Sequence, residues 1–244
     1  MRYRPASSRE VLRSQKAPVG RTRRRHWWRW ILGGAVALVV LGVGLTGAFV
    51  ELASVPAPLA LPRVAAAPSG PLDGTWQVAS HSVAGFRVRE TVIGFSNDVV
   101  GRTGDVTGTM TVTGDQVRQA AFQIPLGTIV VDGKTRQPQL VESLGVTAHP
   151  VAAITLAQPM SLPAGFSSGA AVTRIVAARL MLNGVTRPVT VTLSARRDGT
   201  AIDVAGSLPV DFFAFRITGP AGYGFLGSLA DNGTAEFLMI LRSR

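Results

Sequence analysis

Residues 31–50, ILGGAVALVVLGVGLTGAFV, run for twenty positions without a charge, and no other feature so narrows what this chain can become. A helix rises about 1.5 Å per residue, so twenty residues span about 30 Å, the hydrocarbon thickness of a bilayer. A globular helix of that length carries polar positions on at least one face. The run therefore predicts a single transmembrane helix. A cleaved secretory signal is the alternative, but its apolar region is usually about 7–15 residues behind a short leader. Here thirty residues precede the run. The small residues of LASVPAPLA (52–60) suit a signal peptidase, yet the lengths favour an uncleaved anchor.

The formal charge of +11 suggests nucleic acid only until it is partitioned. Residues 1–30 hold ten Lys or Arg against Glu10, giving +9, whereas residues 51–244 hold fifteen basic and thirteen acidic residues, giving +2. Basic residues crowded before an apolar span follow the positive-inside bias, so residues 1–30 are expected in the cytoplasm and the remainder outside. Trp27, Trp28 and Trp30 stand at the junction, where amphipathic rings favour the headgroup layer. Attraction to anionic lipid heads accounts for the RTRRRHWWRW run without a nucleic-acid partner.

Five prolines, Pro56, Pro58, Pro62, Pro68 and Pro71, fall within residues 51–71. Proline at that density favours extended geometry, so the stretch reads as a semi-rigid Pro/Ala-rich linker that stands the next domain off the membrane. The chain has no cysteine, so an exported domain must rely on its core instead of disulfides.

Residues 72–244 read as strands. GTWQVAS (74–80), AGFRVRETVIGF (84–95), DVTGTMTVTG (105–114), VRQAAFQIPL (117–126), VAAITLA (151–157), VTRIVAARLMLNG (172–184), RPVTVTLSARRDG (187–199), TAIDVAGSLPV (200–210) and TAEFLMILRS (234–243) are rich in Val, Ile, Thr and Phe, with glycine, Asp-Gly and Asn-Gly between them. Phe86, Val88 and Val92 alternate with Arg87, Arg89 and Thr91, and Val189, Val191 and Leu193 with Thr190 and Thr192, the period of a strand with one buried face. Thr113-Gly114-Asp115 and Arg197-Asp198-Gly199 signal hairpins. One short helix is expected at 134–144. Eight or more strands in one domain make a barrel or sandwich, and an eight-stranded barrel can hold one small ligand.

Three stretches, WQVASHSVAGFRVRE (76–90), TRQPQLVESLGVTAHPVAAITL (135–156) and LMLNGVTRPVTVTL (180–193), resemble signature stretches of the YceI-like family, in the family's order. The resemblance covers about residues 72–244 and leaves residues 1–71 outside it. It implies an all-β, exported, antiparallel lipocalin-like β-barrel that binds an isoprenoid or another long amphiphilic lipid in its interior. Two positions depart from the pattern: Gln137 stands where the family has Asp, and Ile154 replaces an aromatic.

Strand alternation nominates Phe86, Val88, Phe122, Ile124, Leu180, Leu182, Phe213 and Phe237 as a lipid-binding lumen. Arg136 and Arg187 are the candidates for a polar head group, with a solvated surface position the stronger alternative for Arg187. In DFFAFR (211–216) the phenylalanines pack the core, floor a ligand site, or do both. No catalytic constellation is present: GxSxG is missing, and Gly219–Gly224 does not open a helix after a strand as a phosphate cradle requires. His81 and His149 with Asp73, Glu90 and Glu142 form no metal-ligating pattern, and no cofactor is implied. The sequence thus points to lipid binding at the cell membrane rather than to an enzyme. A ligand-free structural barrel and an enzyme acting on a lipid inside the barrel are the alternatives.

Overall fold

A computed structural model describes residues 55–131, 142–218 and 227–244. The tail at 1–30, the apolar run at 31–50, most of the expected helix, Arg136 and Gly219–Gly224 lie outside the described residues. No helix among the described residues is long and apolar enough to cross a membrane.

Twelve strands make up the described domain: β1 Gly74–Val78, β2 Val83–Val92, β3 Phe95–Thr103, β4 Thr107–Thr113, β5 Gln116–Pro125, β6 Val130–Val131, β7 Val151–Leu156, β8 Met160–Ser161, β9 Val172–Leu182, β10 Val185–Asp198, β11 Ala201–Asp211 and β12 Gly227–Ser243. Eight of them close a ring in the order β1-β4-β5-β7-β9-β10-β11-β12, and β12 returns to β1. Every neighbour in the ring is antiparallel. Closure removes the free edges that an open sheet of this size would expose. The domain is an all-β antiparallel barrel.

The length of β12 lets it serve both β1 and β2. Its last residues, Leu241–Ser243, pair with β1, while Gly227–Leu238 pair with β2 across a bulge between Leu229 and Gly233. One end of the barrel is therefore walled by β12-β2-β3-β6 and by the 3₁₀ turn Leu126–Thr128. The other end is walled by β12-β1-β4 and filled by a core that includes Trp76, Phe166, Ile202 and Leu241. Trp76, 1 % exposed, donates its indole N–H to the Leu72 carbonyl at 2.9 Å.

Turn chemistry sets the register. The β9–β10 hairpin is closed by Asn183 (φ 48°) and Gly184 (φ 71°), the left-handed pair a two-residue hairpin turn requires. Residues 84–95, expected as one strand, contain a second such turn. Ile93 (φ 50°) and Gly94 (φ 80°) turn β2 back into β3, with Val92 opposite Phe95. A β-branched residue is disfavoured in that conformation, so Ile93 disguises the turn and local propensity does not predict β3.

The Pro/Ala-rich stretch also differs from its expected form. Residues 55–71 take no regular secondary structure, but they do not stand free. They lie along the outside of the barrel as a strap. Arg87 donates to the Pro56 carbonyl at 2.7 Å, Arg102 to that of Ala57, Arg196 to that of Pro62 at 2.7 Å, and Arg197 to those of Ser69 and Gly70 at 2.8 and 2.9 Å. The Leu59 amide donates to Glu236, and those of Ala65 and Ala66 to Asp198. Proline enforces extended backbone but leaves its carbonyl free to accept, and guanidinium groups of the barrel, those of Arg196 and Arg197 buried, take up carbonyls along the strap.

Candidate functional site

Inward-facing residues of the ring enclose two apolar cavities. The larger, about 190 Å³, lies toward the end walled by β2 and β3, and the smaller, about 100 Å³, lies toward the end closed by Phe166. Phe86, Val88, Ile124, Leu180 and Leu182 line the larger cavity, Phe122 lines the smaller, and Phe237 lines both. Alternation along the strands thus brings seven of the eight nominated residues onto one lumen.

The eighth goes elsewhere. β11 ends at Asp211, and Phe213 begins a 3₁₀ turn, Phe213–Phe215, in which the period of two no longer applies. Phe213 is 90 % exposed, while its neighbour Phe212 lines the larger cavity. Arg187 does not reach the lumen either: its Nε donates to the Ala214 carbonyl at 2.6 Å, tying β10 to that same turn. Sequence reasoning missed Leu126, Ile129 and Val131, which reach the cavity from the 3₁₀ turn and β6, where no alternation exists to read. It also missed Met239, which shares the parity of Phe237 and was legible by the same rule.

Phe86, Phe122 and Phe237, the strand phenylalanines of the lumen, share one arrangement. Phe86 pairs directly across from Gly101, Phe122 from Gly108 and Phe237 from Gly206. A Cβ built on Gly101 or Gly206 would collide with the tip of the opposing ring, and one on Gly108 with Phe122 Cδ1. Each ring therefore leans over a bare backbone on the neighbouring strand instead of projecting straight across the barrel. Aromatic packing over a cross-strand glycine covers the backbone and here leaves space in the middle.

The best-connected charge cluster lies between the barrel and the strap. Glu236 alternates with Ala235 and Phe237; its carboxylate accepts from Arg102 at 2.8 Å and from the Leu59 amide at 3.3 Å, with Arg87 at 3.7 Å. Asp98 joins the cluster through Arg87 and Arg89. At the far end of the strap, hydrogen bonds from the amides of Ala65 and Ala66 hold the Asp198 carboxyl below its ordinary value. Asp203 is shifted up by burial and by the charge of Asp198, against the opposing pull of Arg196. Among the described residues no three His, Cys, Asp or Glu side chains gather to hold a metal. His149 packs against Gly184, and His81 sits at a positive-φ position after β1.

A closed antiparallel barrel around an apolar lumen belongs to the class of barrels wide enough to hold one small ligand. The family model of the YceI-like domain matches residues 76–238, and the chain belongs to that family. A polyisoprenoid binding domain from Saccharophagus degradans implicated in plant cell wall breakdown is similar in structure, with a TM-score of 0.55 at 16% identity over 69% of this chain and 98% of that one. BcnA of Burkholderia cenocepacia gives 0.50 at 17% identity over 64% of this chain and 95% of that one. No curated protein matches the chain.

Proposed function

We propose that this chain binds the apolar part of a lipid, of the isoprenoid or isoprenoid-quinone kind, inside its barrel, for storage, transport or sensing. The observation that carries the reading is the lumen of about 190 Å³ with walls that are almost entirely hydrocarbon. Transfer of apolar surface from water into such a space returns about 25 cal/mol per Å², so an uncharged chain gains affinity there without an ionic partner. Membership of the YceI-like family and the fold shared with a polyisoprenoid binding domain support the same reading.

The reading includes a membrane location. Residues 31–50 anchor the chain as one span, residues 1–30 remain in the cytoplasm, and the barrel faces the other side, where it meets lipid at its source. The apolar run and the +9 charge of the preceding tail support this arrangement.

Organic extraction of the purified full-length chain, followed by mass spectrometry, tests the binding. An isoprenoid or other long-chain lipid should be recovered in near-stoichiometric amount. A chain that stays empty after supplementation with prenyl lipids would overturn the reading in favour of a filled structural barrel. Orientation is tested separately with a reporter enzyme active only outside the cytoplasm. It should work when fused after Arg244 and stay silent when fused before Ile31.

A further inference from the structure

We infer that the smaller cavity is a tail subsite continuous with the larger one, and that Ile154 with Phe237 and Met239 forms a constriction between them that sets the preferred chain length. The inference rests on the lipid-binding reading above and adds how the ligand lies and what selects it.

Three residues line both cavities: Ile154, Phe237 and Met239. Ile154 is on β7, and the other two are on β12. In the ring order β1-β4-β5-β7-β9-β10-β11-β12, β7 stands four strands from β12 in either direction. The shared residues therefore face each other across the full width of the barrel. A wall residue that touched both cavities from one side would only mark where they adjoin; residues on opposite walls define a waist. Phe237 is held at that waist by leaning over Gly206, directly opposite it on β11. The ring is only partly buried although it points inward, its inner side bordering both cavities.

Volume decides how much each side takes. An engineered apolar cavity of about 150 Å³ accepts benzene, six carbons. By that measure about 190 Å³ holds roughly six to eight carbons, between one and two isoprene units. A longer chain must pass the waist to bury more of itself. The space beyond it suits only hydrocarbon. Thr155 supplies the one polar side chain among its described lining residues and alternates outward from Ile154. Met110, Met160 and Met239 bring flexible thioethers, which adapt to irregular apolar shapes. Phe166 and the strands around Trp76 close the end beyond. A ligand thus enters with its hydrocarbon end first and leaves its head toward the β2–β3 end.

The test is native mass spectrometry of the full-length chain in detergent, loaded with an equimolar mixture of prenyl alcohols of two, three and four isoprene units. Phe237→Ala widens the waist and should raise the ratio of four-unit to two-unit adduct about tenfold, the equivalent of about two further buried methylene groups. Ile154→Phe narrows it and should lower the ratio by a similar factor. Phe237→Leu is the milder widening variant should Phe237→Ala fail to fold. Opposite shifts in the two directions support the waist. Ratios within twofold of wild type in the folded variants, with wild type itself carrying prenyl alcohol, would overturn the waist while lipid binding stands. Wild type that carries no prenyl alcohol would take down the lipid reading and this inference with it.

Discussion

Removal of the Glu236 carboxylate should loosen the strap and cost the barrel a measurable part of its stability. Glu236 has 3 % of its side chain exposed, with Arg102 at 2.8 Å, Arg87 at 3.7 Å and the Leu59 amide at 3.3 Å. Breaking a buried pair by deleting one partner costs about 3–5 kcal/mol, since it strands the other charge. Here Arg102 and Arg87 keep 27 % and 16 % side-chain exposure, and both retain carbonyl partners on the strap. Water and those carbonyls absorb part of the penalty, so Glu236→Ala should cost about 2–3 kcal/mol. Glu236→Gln preserves shape and the acceptor for Leu59, and should cost about half as much. The assay is guanidinium unfolding of the full chain in detergent, with limited proteolysis of residues 55–71 alongside. The alanine variant should be cut in the strap faster than wild type. A loss below about 0.5 kcal/mol with unchanged strap cleavage would refute the claim that residues 55–71 are held as part of the domain.

Other outcomes follow from the same geometry. Leu182 lines the larger cavity and Thr190 is exposed on the opposite parity of β10, so Leu182→Arg should lose extractable lipid and several kcal/mol of stability, while Thr190→Arg keeps both; a charged variant at 182 that still carries lipid would remove that wall from the pocket. Ile93 holds φ 50° at an exposed hairpin tip, and Ile93→Asn should raise stability by about 1 kcal/mol, read as a higher Tm, because asparagine tolerates the left-handed region. The Asp198 carboxyl is held below its ordinary value of 3.8 by the Ala65 and Ala66 amides. Its contribution is therefore full above pH 3.8 and lost as pH falls through the lower folded value. Strap cleavage by an acid-active protease should rise over that range in wild type and lose this step in Asp198→Asn. Asp203, shifted up by burial, acts in the opposite sense: its contribution favours the fold at low pH and fades as pH rises through its folded value.

Local chemistry made much of this protein legible. Period-two alternation placed most strands within a few residues and set the inward parity of Phe86, Val88, Phe122, Ile124, Leu180, Leu182 and Phe237, because a strand in a closed barrel has one wet and one dry face. Thr113-Gly114-Asp115 and Arg197-Asp198-Gly199 announced their hairpins for an equally local reason. Where a rule of local propensity was broken, the reading failed: Ile93 occupies a turn position that its own side chain disfavours, and only the pairing of β2 with β3 holds it there. Phe213 was misplaced because the strand had already ended, and alternation carries no information past a strand's last residue. Non-local relations were settled by the tertiary structure alone. The docking of residues 55–71 on the barrel joins partners as far apart as Leu59 and Glu236. The facing of Ile154 and Phe237 follows from ring closure, and strand register sets Phe86, Phe122 and Phe237 each opposite a glycine on another strand. A sequence records which face each residue prefers; only closure of the ring decides which residues then share the space inside it.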